Sequence, residues 1–358
     1  MIYIIYENYW EIGKGVLKKI KAQCRVFEAV FGKIYYTVYS GQMMHLYHND
    51  ELLEKELAVT ERECNQIILE WMIKYKIKKS YIRYWFADRW FLELLKKQEE
   101  LGIRSVLEFP SIPYDGIFSR QIVSEDHYYR EQLHKYIRCC TTFGRYDQVF
   151  HIPCLAIPNG VDMKDQKKKC YRKKDGTIVL LAVARFWKAH GYERLIEGMH
   201  DYYRKGGKRN IIFNVVGDGV QLDFYSKLVD EYQLQEHVIF YGCLEGEALD
   251  RVYDNSDIAV SALGFYKAGI QSASPIKACE YCARGIPFIY GYDELSLNES
   301  KYFAYQVSND ATPIDMKKVV EFYDAMYDGR DFVKDMRQYA MLNLTWDTIL
   351  QPVIDYLS

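Results

Sequence analysis

The sequence predicts an α/β protein with two doubly wound, Rossmann-like domains. Strand-like apolar runs alternate with helical patterns along the whole chain, and the alternation begins again after residue 176. The length of 358 residues is sufficient for two domains of ordinary size. We therefore expect one domain over residues 1–158 and a second over residues 159–340.

The first half combines short apolar strands with longer helical patterns. The strands are expected at 2–6, 33–40, 80–85, 104–109 and 139–143, and the helices at 16–31, 51–75 and from residue 86 to about 101. Such an order is typical of a parallel sheet that is covered on both faces.

The second half repeats this order. Strands are expected at 177–184, 210–219, 237–242, 257–263 and 286–291, and helices at 191–207, 224–234 and 246–256. Residues 156–176 are assigned as the linker between the domains. The seven Lys or Arg residues between 164 and 174 predict a solvated connector, with binding to an anionic membrane as the alternative.

The composition excludes several classes of protein. The net charge of −2 provides no bulk attraction to nucleic acid, and no apolar run is long enough to span a membrane. The N-terminus has no basic lead or cleavage site, and the nine scattered cysteines suggest reduced thiols, so we expect a cytoplasmic protein. The CxxC pair at 279 and 282 has no matching second pair, which argues against a metal site.

The stretch "SPIKACEYCARGIPF" (274–288) predicts a short helix with defined ends. Ser274 is a good N-cap, Pro275 suits the first helical position, and Gly285 suits the C-cap. The backbone N–H groups of Ile276 and Lys277 would then be available to an anion such as a diphosphate.

Glu280 lies deeper in this predicted helix, too far from its start to meet a phosphate. A carboxylate there can accept hydrogen bonds from vicinal hydroxyls, such as those of a ribose. The alternative is a surface ion pair between Lys277 and Glu280 at a spacing of three residues.

Gly217 and Gly219 follow the strand-like run "NIIFNVV". Glycine has no Cβ and tolerates positive φ, so both residues can bring backbone close to a ligand. The alternative is a plain tight turn. The motif does not extend to G-x-G-x-x-G, so no dinucleotide site is predicted.

Five segments of the second half resemble GT-B glycosyltransferases of family 4, the glycosyl transferases group 1. They are "IPNGVD" (157–162), "ARFWKAHGYERLIEG" (184–198), "FNVVGDG" (213–219), "HVIFYGCLEGEALDRVYDNSDIAV" (237–260) and "SPIKACEYCARGIPF". In the first half, "GVLKKIKAQCRVFEAVFGK" (15–33) and "RSVLEFPSIPYDG" (104–116) resemble a subgroup encoded in bacterial surface-polysaccharide gene clusters. The last helix, at about 341–358, resembles the segment that crosses back and completes the N-terminal domain.

The resemblance implies transfer of a sugar from a nucleotide-sugar donor with retention at the anomeric carbon. The two domains would face a central cleft, with the donor on the C-terminal domain and the acceptor on the N-terminal one. Arg185 matches the phosphate-binding Arg of the family, and Glu280 matches the second acid of its E-x7-E motif, which holds the ribose. Gly242 to Leu244 match the segment that meets the base, and Gly13 and Gly15 are placed on the acceptor side.

The resemblance also implies that no cofactor is needed beyond the nucleotide-sugar co-substrate. The sequence contains no D-x-D motif, which fits a metal-independent site where cations and a helix N-terminus neutralise the leaving group.

Three positions depart from the family pattern. His190 occupies the place of the phosphate-binding Lys, for which Lys188 could substitute. Ser272 occupies the place of the first acid of E-x7-E. The acceptor-side His is missing as well; Glu108 lies nearby in the sequence and could orient an acceptor hydroxyl, or it could be a buried structural carboxylate.

These departures leave an alternative function, a catalytically impaired paralogue that binds a nucleotide sugar or acts as a scaffold. A nucleotide-sugar epimerase is a weaker alternative, because no acid/base pair stands out. For the transferase, the resemblance suggests a glycan or lipid-linked oligosaccharide acceptor and a role in surface polysaccharide biosynthesis.

Basic residues in the first helical segment suggest where such an enzyme works. Lys14, Lys18, Lys21 and Arg25 share one helical face, and Lys19 lies beside it. This face predicts peripheral contact with anionic lipid at the inner face of the cell membrane, with an ordinary solvated face as the alternative.

Overall fold

The structure is a computed structural model that describes residues 1–6, 14–115, 120–170, 176–299, 301–327, 329 and 331–358. The chain divides into two compact units: Met1–Gly160 together with Trp346–Ser358, and Val161–Thr345. Each unit is an α/β layer structure around a mainly parallel sheet, so the predicted fold class of two Rossmann-like domains is confirmed.

The first unit is built on one mixed sheet. Its strands are β1 (Ile2–Ile4), β2 (Tyr35–Ser40), β3 (Met43–His48), β4 (Glu51–Leu57), β5 (Lys79–Arg83), β6 (Arg104–Phe109), β7 (Cys140–Thr142), β8 (Gln148–Val149) and β9 (Ile152–Ala156). They lie in the order β4-β3-β2-β1-β5-β6-β7-β9-β8. The central pairs from β2 to β9 are parallel, whereas β3, β4 and β8 pair antiparallel at the edges.

Helices cover this sheet, and the starts of two of them are clearly capped. The helices are α1 (Lys14–Phe31), α2 (Glu61–Lys74), α3 (Arg89–Glu100) and α4 (Arg120–Arg130), followed by a 3₁₀ turn at Leu133–Lys135. Thr60 and Glu63 form a capping box at the start of α2, and Asp88 caps α3. Such caps satisfy backbone N–H groups that the helix itself leaves without partners.

The predicted helix over residues 51–75 is wrong in its first part. Residues 51–57 form the edge strand β4, and the helix begins only after Thr60. The reason is the turn between β3 and β4, where Asn49 and Asp50 have φ values of 50° and 63°. Consecutive positive φ angles are typical of the tight turn that closes a hairpin, and Asn and Asp tolerate them best.

The second unit contains a fully parallel sheet and a small separate pair of strands. Its strands are β10 (Ile178–Arg185), β11 (Ile211–Asp218), β12 (Val238–Gly242), β13 (Ile258–Val260), β14 (Ser272–Ala273), β15 (Phe288–Tyr290), β16 (Asp293–Glu294) and β17 (Ala304–Gln306). The main sheet has the order β12-β11-β10-β13-β15-β17, and β14 pairs with β16. The order runs outward in both directions from β10, as in a doubly wound sheet.

Helices pack on both faces of the parallel sheet. They are α5 (Glu193–Arg204), α6 (Leu222–Glu231), α7 (Gly246–Asp254), α8 (Ile276–Arg284), α9 (Met316–Met326) and α10 (Phe332–Asn343), with 3₁₀ turns at Met163–Asp165, Lys188–His190 and Phe265–Ala268. One apolar cluster lies between the sheet and α8 and α10, and another lies between the sheet and α5 and α9. No helix in the described ranges is both long and apolar enough to cross a bilayer.

The end of the chain belongs to the first unit. Helices α11 (Trp346–Ile349) and α12 (Gln351–Leu357) bring Leu350, Val353 and Leu357 into an apolar cluster with residues of α1 and of the sheet. Trp346 packs against Gly160, where an added Cβ would lie 2.5 Å from the indole ring.

The segment after the first unit is not simply a solvated connector. Lys169 is 5% exposed, and its ammonium donates hydrogen bonds to the carbonyl oxygens of Tyr253 (2.8 Å) and Asp254 (3.0 Å). These carbonyls end α7, where a helix lacks backbone donors, so a lysine there is stabilised by them. The prediction is therefore wrong for this lysine, while residues 171–175 of the segment lie outside the described part of the chain.

Candidate functional site

Several predicted residues meet at the carboxyl ends of three neighbouring strands of the second unit. Arg185 at the end of β10 is in register with Asp218 at the end of β11, and Val216 of β11 is in register with Gly242 at the end of β12. Ligands of open α/β sheets bind beyond this edge. Leu244, just after β12, is half-buried and packs against the apolar core.

Gly217 and Gly219 are required by the path of the chain itself. Their φ values are 128° and 136°, and a Cβ on them would lie 1.9 Å from the carbonyl oxygen of Ala184 and 2.3 Å from that of Phe186. The turn after β11 therefore lies directly against the turn after β10. This packing accounts for both glycines without a ligand, which favours the tight-turn alternative.

Arg185 and Lys188 offer cationic groups at this edge. Both side chains are exposed, and within the described residues no hydrogen bond or ion pair joins either side chain to another group. Lys188 begins the 3₁₀ turn that ends at His190. Two such cations, close in sequence at the end of a sheet strand, are available to an anionic ligand.

His190 cannot supply a positive charge at neutral pH. Its side chain is 7% exposed, and Nδ1 accepts a hydrogen bond from the backbone N–H of Trp187 at 3.2 Å. Burial, helped by the charge of Lys277, holds the pKa of His190 well below its usual value. The ring stacks on Tyr192 at 5.5 Å, so the residue supports the loop.

The predicted helix of the opening motif is present as α8, but its start differs from the prediction. Pro275, with φ −60° and ψ 137°, is the N-cap, and Ile276 is the first helical residue. Ser274 is 2% exposed, and its hydroxyl lies 3.9 Å from the Cys279 thiol, so it faces the core and does not cap the helix. The predictions of Ser274 as the cap and of Pro275 as the first helical residue are therefore wrong.

The end of α8 agrees with the prediction, because Gly285 is the C-cap with φ 80°. At the other end, the backbone N–H groups of Ile276 and Lys277 belong to the first turn, where no preceding helical carbonyl can accept from them. The start of α8 can thus still serve an anion, without help from a Ser274 side chain.

The sequence suggests the Lys277 side chain only as the partner of a surface ion pair with Glu280, whereas the structure places it against Tyr192. Its ammonium lies 3.3 Å from the hydroxyl of Tyr192, which itself stacks on His190. Burial lowers the pKa of Lys277 to about 7, although the Glu280 carboxylate opposes the shift. The fold thus brings a lysine from α8 beside the histidine that occupies the position of the family's lysine.

Glu280 is half-buried on α8 and has a partner far away in the sequence. Its Oε1 accepts a hydrogen bond from Nε2 of Gln166 at 3.5 Å, and Gln166 in turn accepts one from Arg284 at 3.1 Å. Arg284 is also paired with Asp250 at 2.7 Å. This chain of contacts fixes the helix against its neighbours and holds Glu280 in place.

The position of the missing first acid is occupied by Ser272, as the sequence indicates, and Glu294 is brought beside it. Ala273 of β14 is in register with Glu294 of β16. The Glu294 side chain is 3% exposed and accepts hydrogen bonds from Tyr292 at 2.6 Å and from the backbone N–H of Ser296 at 2.9 Å. Burial raises the pKa of Glu294 to about 7 despite these bonds.

Glu108, predicted on the acceptor side, is a buried structural carboxylate. It has no exposed surface, and its oxygens accept hydrogen bonds from Arg83 (2.6 Å), Tyr81 (2.8 Å), Lys19 (3.2 Å) and Gln23 (3.2 Å). Burial alone would raise the pKa of Glu108, but the two cations and the hydrogen bonds hold it at about 2. The prediction that it contacts an acceptor hydroxyl is therefore replaced by a role in the core.

The structure gives no specific role to the two glycines that were predicted on the acceptor side. Gly13 lies outside the described residues. Gly15 lies in the first turn of α1, and an added Cβ would have no neighbour within 4 Å, so packing does not require glycine there. All nine cysteines are free, and the described residues contain no group of three or more side chains able to hold a metal ion.

Comparisons with known proteins agree with this architecture. Residues 163–294 match the family model described as glycosyl transferases group 1, which covers much of the second unit. No curated protein sequence matches the chain. The solved structures that resemble it include a glycosyltransferase from Rickettsia africae, with 13% identity, a TM-score of 0.69, and coverage of 99% of this chain and 97% of that one.

Two further structures cover the chain to a similar extent. Sucrose-phosphate synthase from Thermosynechococcus elongatus has 14% identity and a TM-score of 0.67 over 99% of this chain and 97% of its own. Anabaena HepE, solved in complex with UDP-glucose, has 11% identity and a TM-score of 0.65 over 100% of this chain and 99% of its own. At these identities the likeness establishes the GT-B fold.

Proposed function

We propose that this protein is a retaining glycosyltransferase that moves a sugar from a nucleotide-sugar donor to a glycan or lipid-linked acceptor. The observation that carries the proposal is the arrangement at the sheet edge of the second unit, within the segment that matches glycosyl transferases group 1. Exposed Arg185 ends β10, and exposed Lys188 begins the 3₁₀ turn in the loop that follows. Lys277 packs onto the same loop from the first turn of α8.

These groups suit a diphosphate leaving group. As the bond to the anomeric carbon breaks, negative charge develops on the leaving oxygen, and preorganised cations and N–H groups stabilise it. Arg185 provides a planar pair of donors, Lys188 a mobile ammonium, and α8 the first backbone N–H groups and the positive end of its dipole. In the proposed reaction no metal ion or other cofactor is needed for this charge.

Glu280 is proposed to hold the ribose of the donor. It is half-buried and lies one turn beyond the start of α8, and its contact with Gln166, at 3.5 Å, is long enough for a ligand hydroxyl to compete with it. A carboxylate accepts hydrogen bonds but donates none, so it selects a ligand that presents hydroxyl groups. Gly242 at the end of β12 and Leu244 just after it are proposed to border the base.

The proposal also includes where the acceptor binds and which process the enzyme serves. The first unit is proposed to bind the acceptor, and the role is surface polysaccharide biosynthesis in the cytoplasm of a bacterium. This rests on the resemblance of two segments in the first unit to enzymes of polysaccharide gene clusters. HepE, with the same fold, was solved with UDP-glucose, so UDP-sugars are the first donors to test.

The proposal is tested by measuring donor binding and donor consumption separately. We expect one nucleotide sugar from a panel that starts with UDP-glucose to raise the melting temperature, because a ligand bound to the native state stabilises it by mass action. Glu280→Gln keeps the shape of the side chain and should weaken nucleotide binding by about 1–3 kcal/mol in calorimetry.

Glu231→Gln, at the exposed end of α6, is the matched control and should leave nucleotide binding unchanged. If Glu280→Gln binds the nucleotide as well as the unaltered chain does, the proposal that Glu280 holds the ribose is wrong. Tight binding of a nucleotide sugar without hydrolysis or transfer to any acceptor would instead support the catalytically impaired paralogue.

A further inference from the structure

The first unit contains a cavity whose lining includes none of the proposed donor residues. It has a volume of about 580 Å³ and opens at the carboxyl ends of β1, β2 and β5, between the starts of α2 and α3. This is the edge at which parallel sheets bind ligands. Cavities of this size accommodate one or two sugar rings or another small molecule.

Aromatic side chains form part of its wall. Trp85 is 46% exposed and lies edge-on to Phe86, with an angle of 71° between the rings and their centroids 5.2 Å apart. Tyr39 and Trp90 also line the cavity. Such rings present flat apolar surfaces on which the nonpolar face of a sugar ring can pack.

The two helix starts at this cavity each carry a carboxylate and are poor sites for a phosphate. At α2, Glu63 accepts hydrogen bonds from the backbone N–H groups of Val59 (2.8 Å) and Thr60 (2.9 Å). At α3, Asp88 accepts one from Phe91 N–H at 2.6 Å. A carboxylate of the protein therefore already lies at each helix start, and its negative charge opposes a bound anion.

The charged groups of the wall are mainly carboxylates. Among the described residues, the carboxylates of Glu61, Asp88 and Glu125 line the cavity together with the guanidinium of Arg89. Burial raises the pKa of Asp88, and the charges of Glu61 and Glu125 raise it further, so the three carboxylates act on one another. A fourth carboxylate, Asp126, is already hydrogen-bonded to Ala87 N–H at 2.7 Å and paired with Arg130 at 3.4 Å.

We propose that this cavity binds an uncharged sugar unit of the acceptor, with hydroxyl groups donating to Asp88, Glu61 and Glu125 and a ring face packed on Trp85. Its acceptor role rests on the proposed transferase function, but the sugar binding itself does not. A ligand must donate hydrogen bonds to carboxylates and cover an aromatic ring, and a sugar does both. A phosphate or carboxylate group on the bound unit would meet three carboxylates against one guanidinium.

The experiment uses the full chain without donor and measures binding by saturation-transfer NMR. The probes are glucose, galactose, N-acetylglucosamine and N-acetylgalactosamine, with glucose 6-phosphate as the charged partner of glucose. We expect at least one uncharged sugar to bind in the millimolar range and glucose 6-phosphate to bind more weakly than glucose.

Two variants connect that binding to the cavity. Trp85→Ala removes an exposed ring and should weaken sugar binding about three- to tenfold. Asp88→Asn removes the charge, and Asn remains a good N-cap, so α3 should be retained while sugar binding weakens. Tyr128→Ala, which removes a 67% exposed ring elsewhere in the unit, is the control and should bind like the unaltered chain.

Each outcome decides the matter. If no sugar binds, if Trp85→Ala and Tyr128→Ala behave alike, or if glucose 6-phosphate binds as well as glucose, the proposal is wrong. Nucleotide binding measured on the same variants separates the two proposals. If the cavity variants lose sugar binding and keep UDP binding, the proposed sugar site is supported. If the chain binds a sugar but no nucleotide, the sugar site is retained and the proposed transferase function is wrong.

Discussion

At the scale of single residues, the most informative group is the Lys277 ammonium. It lies on a helix start, in contact with Tyr192, and has a pKa of about 7. A lysine whose pKa lies below its ordinary value of about 10.4 is held partly neutral by the folded protein. In the free chain, the contribution of this group to stability should rise from about pH 7 to pH 10, because the unfolded chain then binds the proton more tightly.

A bound diphosphate should restore the charge on Lys277. At about pH 8 we therefore expect UDP binding to take up a proton, and we expect the affinity to fall as the pH rises above about 7. Calorimetry in two buffers with different ionisation enthalpies measures this uptake. Lys277→Met should abolish it, whereas Lys208→Met, at an exposed lysine, should not; persistence in Lys277→Met would assign the proton to another group.

The residue scale also shows where sequence reasoning succeeded and failed. Arg185 and Glu280 could be singled out from sequence motifs and their neighbours on the chain. The contact between Glu280 and Gln166 joins residues 114 positions apart, and the contact of Lys277 with Tyr192 joins residues 85 apart. No local pattern encodes such pairs, because they depend on how helices pack on the sheet. For the same reason the sequence left open whether Glu108 is a buried carboxylate, because its partners Lys19 and Arg83 are distant in the chain.

At the scale of secondary-structure elements, the turn after β11 is held by close backbone packing. Its two glycines, Gly217 and Gly219, combine a positive φ with close neighbours, because the carbonyl oxygens of Ala184 and Phe186 leave no room for a side chain. These two positions therefore tolerate few substitutions, even when no ligand is bound.

We expect Gly217→Ala to destabilise the chain by more than about 2 kcal/mol, because a Cβ would collide with the Ala184 carbonyl oxygen. Gly206→Ala is the matched control: its φ is 79°, but an added Cβ would meet nothing within 4 Å. It should cost only about 1 kcal/mol, the usual penalty of a positive φ. Urea denaturation of both variants measures the difference; equal losses would mean that φ alone explains the glycine.

Elements also differ in how well the sequence predicted them. The buried strands β10 and β11 were expected nearly where they occur, because continuous apolar runs are typical of a parallel sheet covered on both faces. The hairpin of β3 and β4 was missed, because its outer strand "ELLEKEL" is exposed and charged and is recognisable only from its partner. Its turn at Asn49 and Asp50 was the one local signal.

At the scale of the whole molecule, the basic face of α1 bears on where the protein works. Lys19 does not belong to that face: it is 5% exposed, pairs with Glu108 at 3.2 Å, and lies 3.5 Å from the Phe143 ring centroid. Lys18 and Arg25 are exposed, and Lys21 is half-buried beside Asp50. The side chain of Lys14 lies outside the described part of the chain.

We predict weak, salt-sensitive binding of the full chain to vesicles that contain anionic lipid. Each basic residue near such a surface contributes about 1 kcal/mol, and salt screens the attraction. Changing Lys18, Lys21 and Arg25 together to Glu should therefore abolish co-sedimentation at low salt.

The control for this prediction makes the same change of charge in the second unit. Arg204, Lys205 and Lys208 are exposed residues at and just after the end of α5, and changing all three to Glu should leave co-sedimentation intact. Equal losses in the two triple variants would mean that net charge alone governs the binding. If the unaltered chain does not bind at low salt, α1 presents an ordinary solvated helix face.

The discontinuous first unit has a consequence for how the protein is made. Trp346, Leu350 and Leu357 fill its apolar core, yet they are translated only after the whole of Val161–Thr345. Domains of many proteins fold in the order of their synthesis. Here the core of the first unit stays incomplete while the second unit folds. A nascent chain arrested before residue 346 would therefore contain a folded second unit and an incompletely folded first unit. In such a chain the surface at Gly160 lacks the Trp346 ring that covers it in the finished protein, and we expect chaperones to bind there during translation.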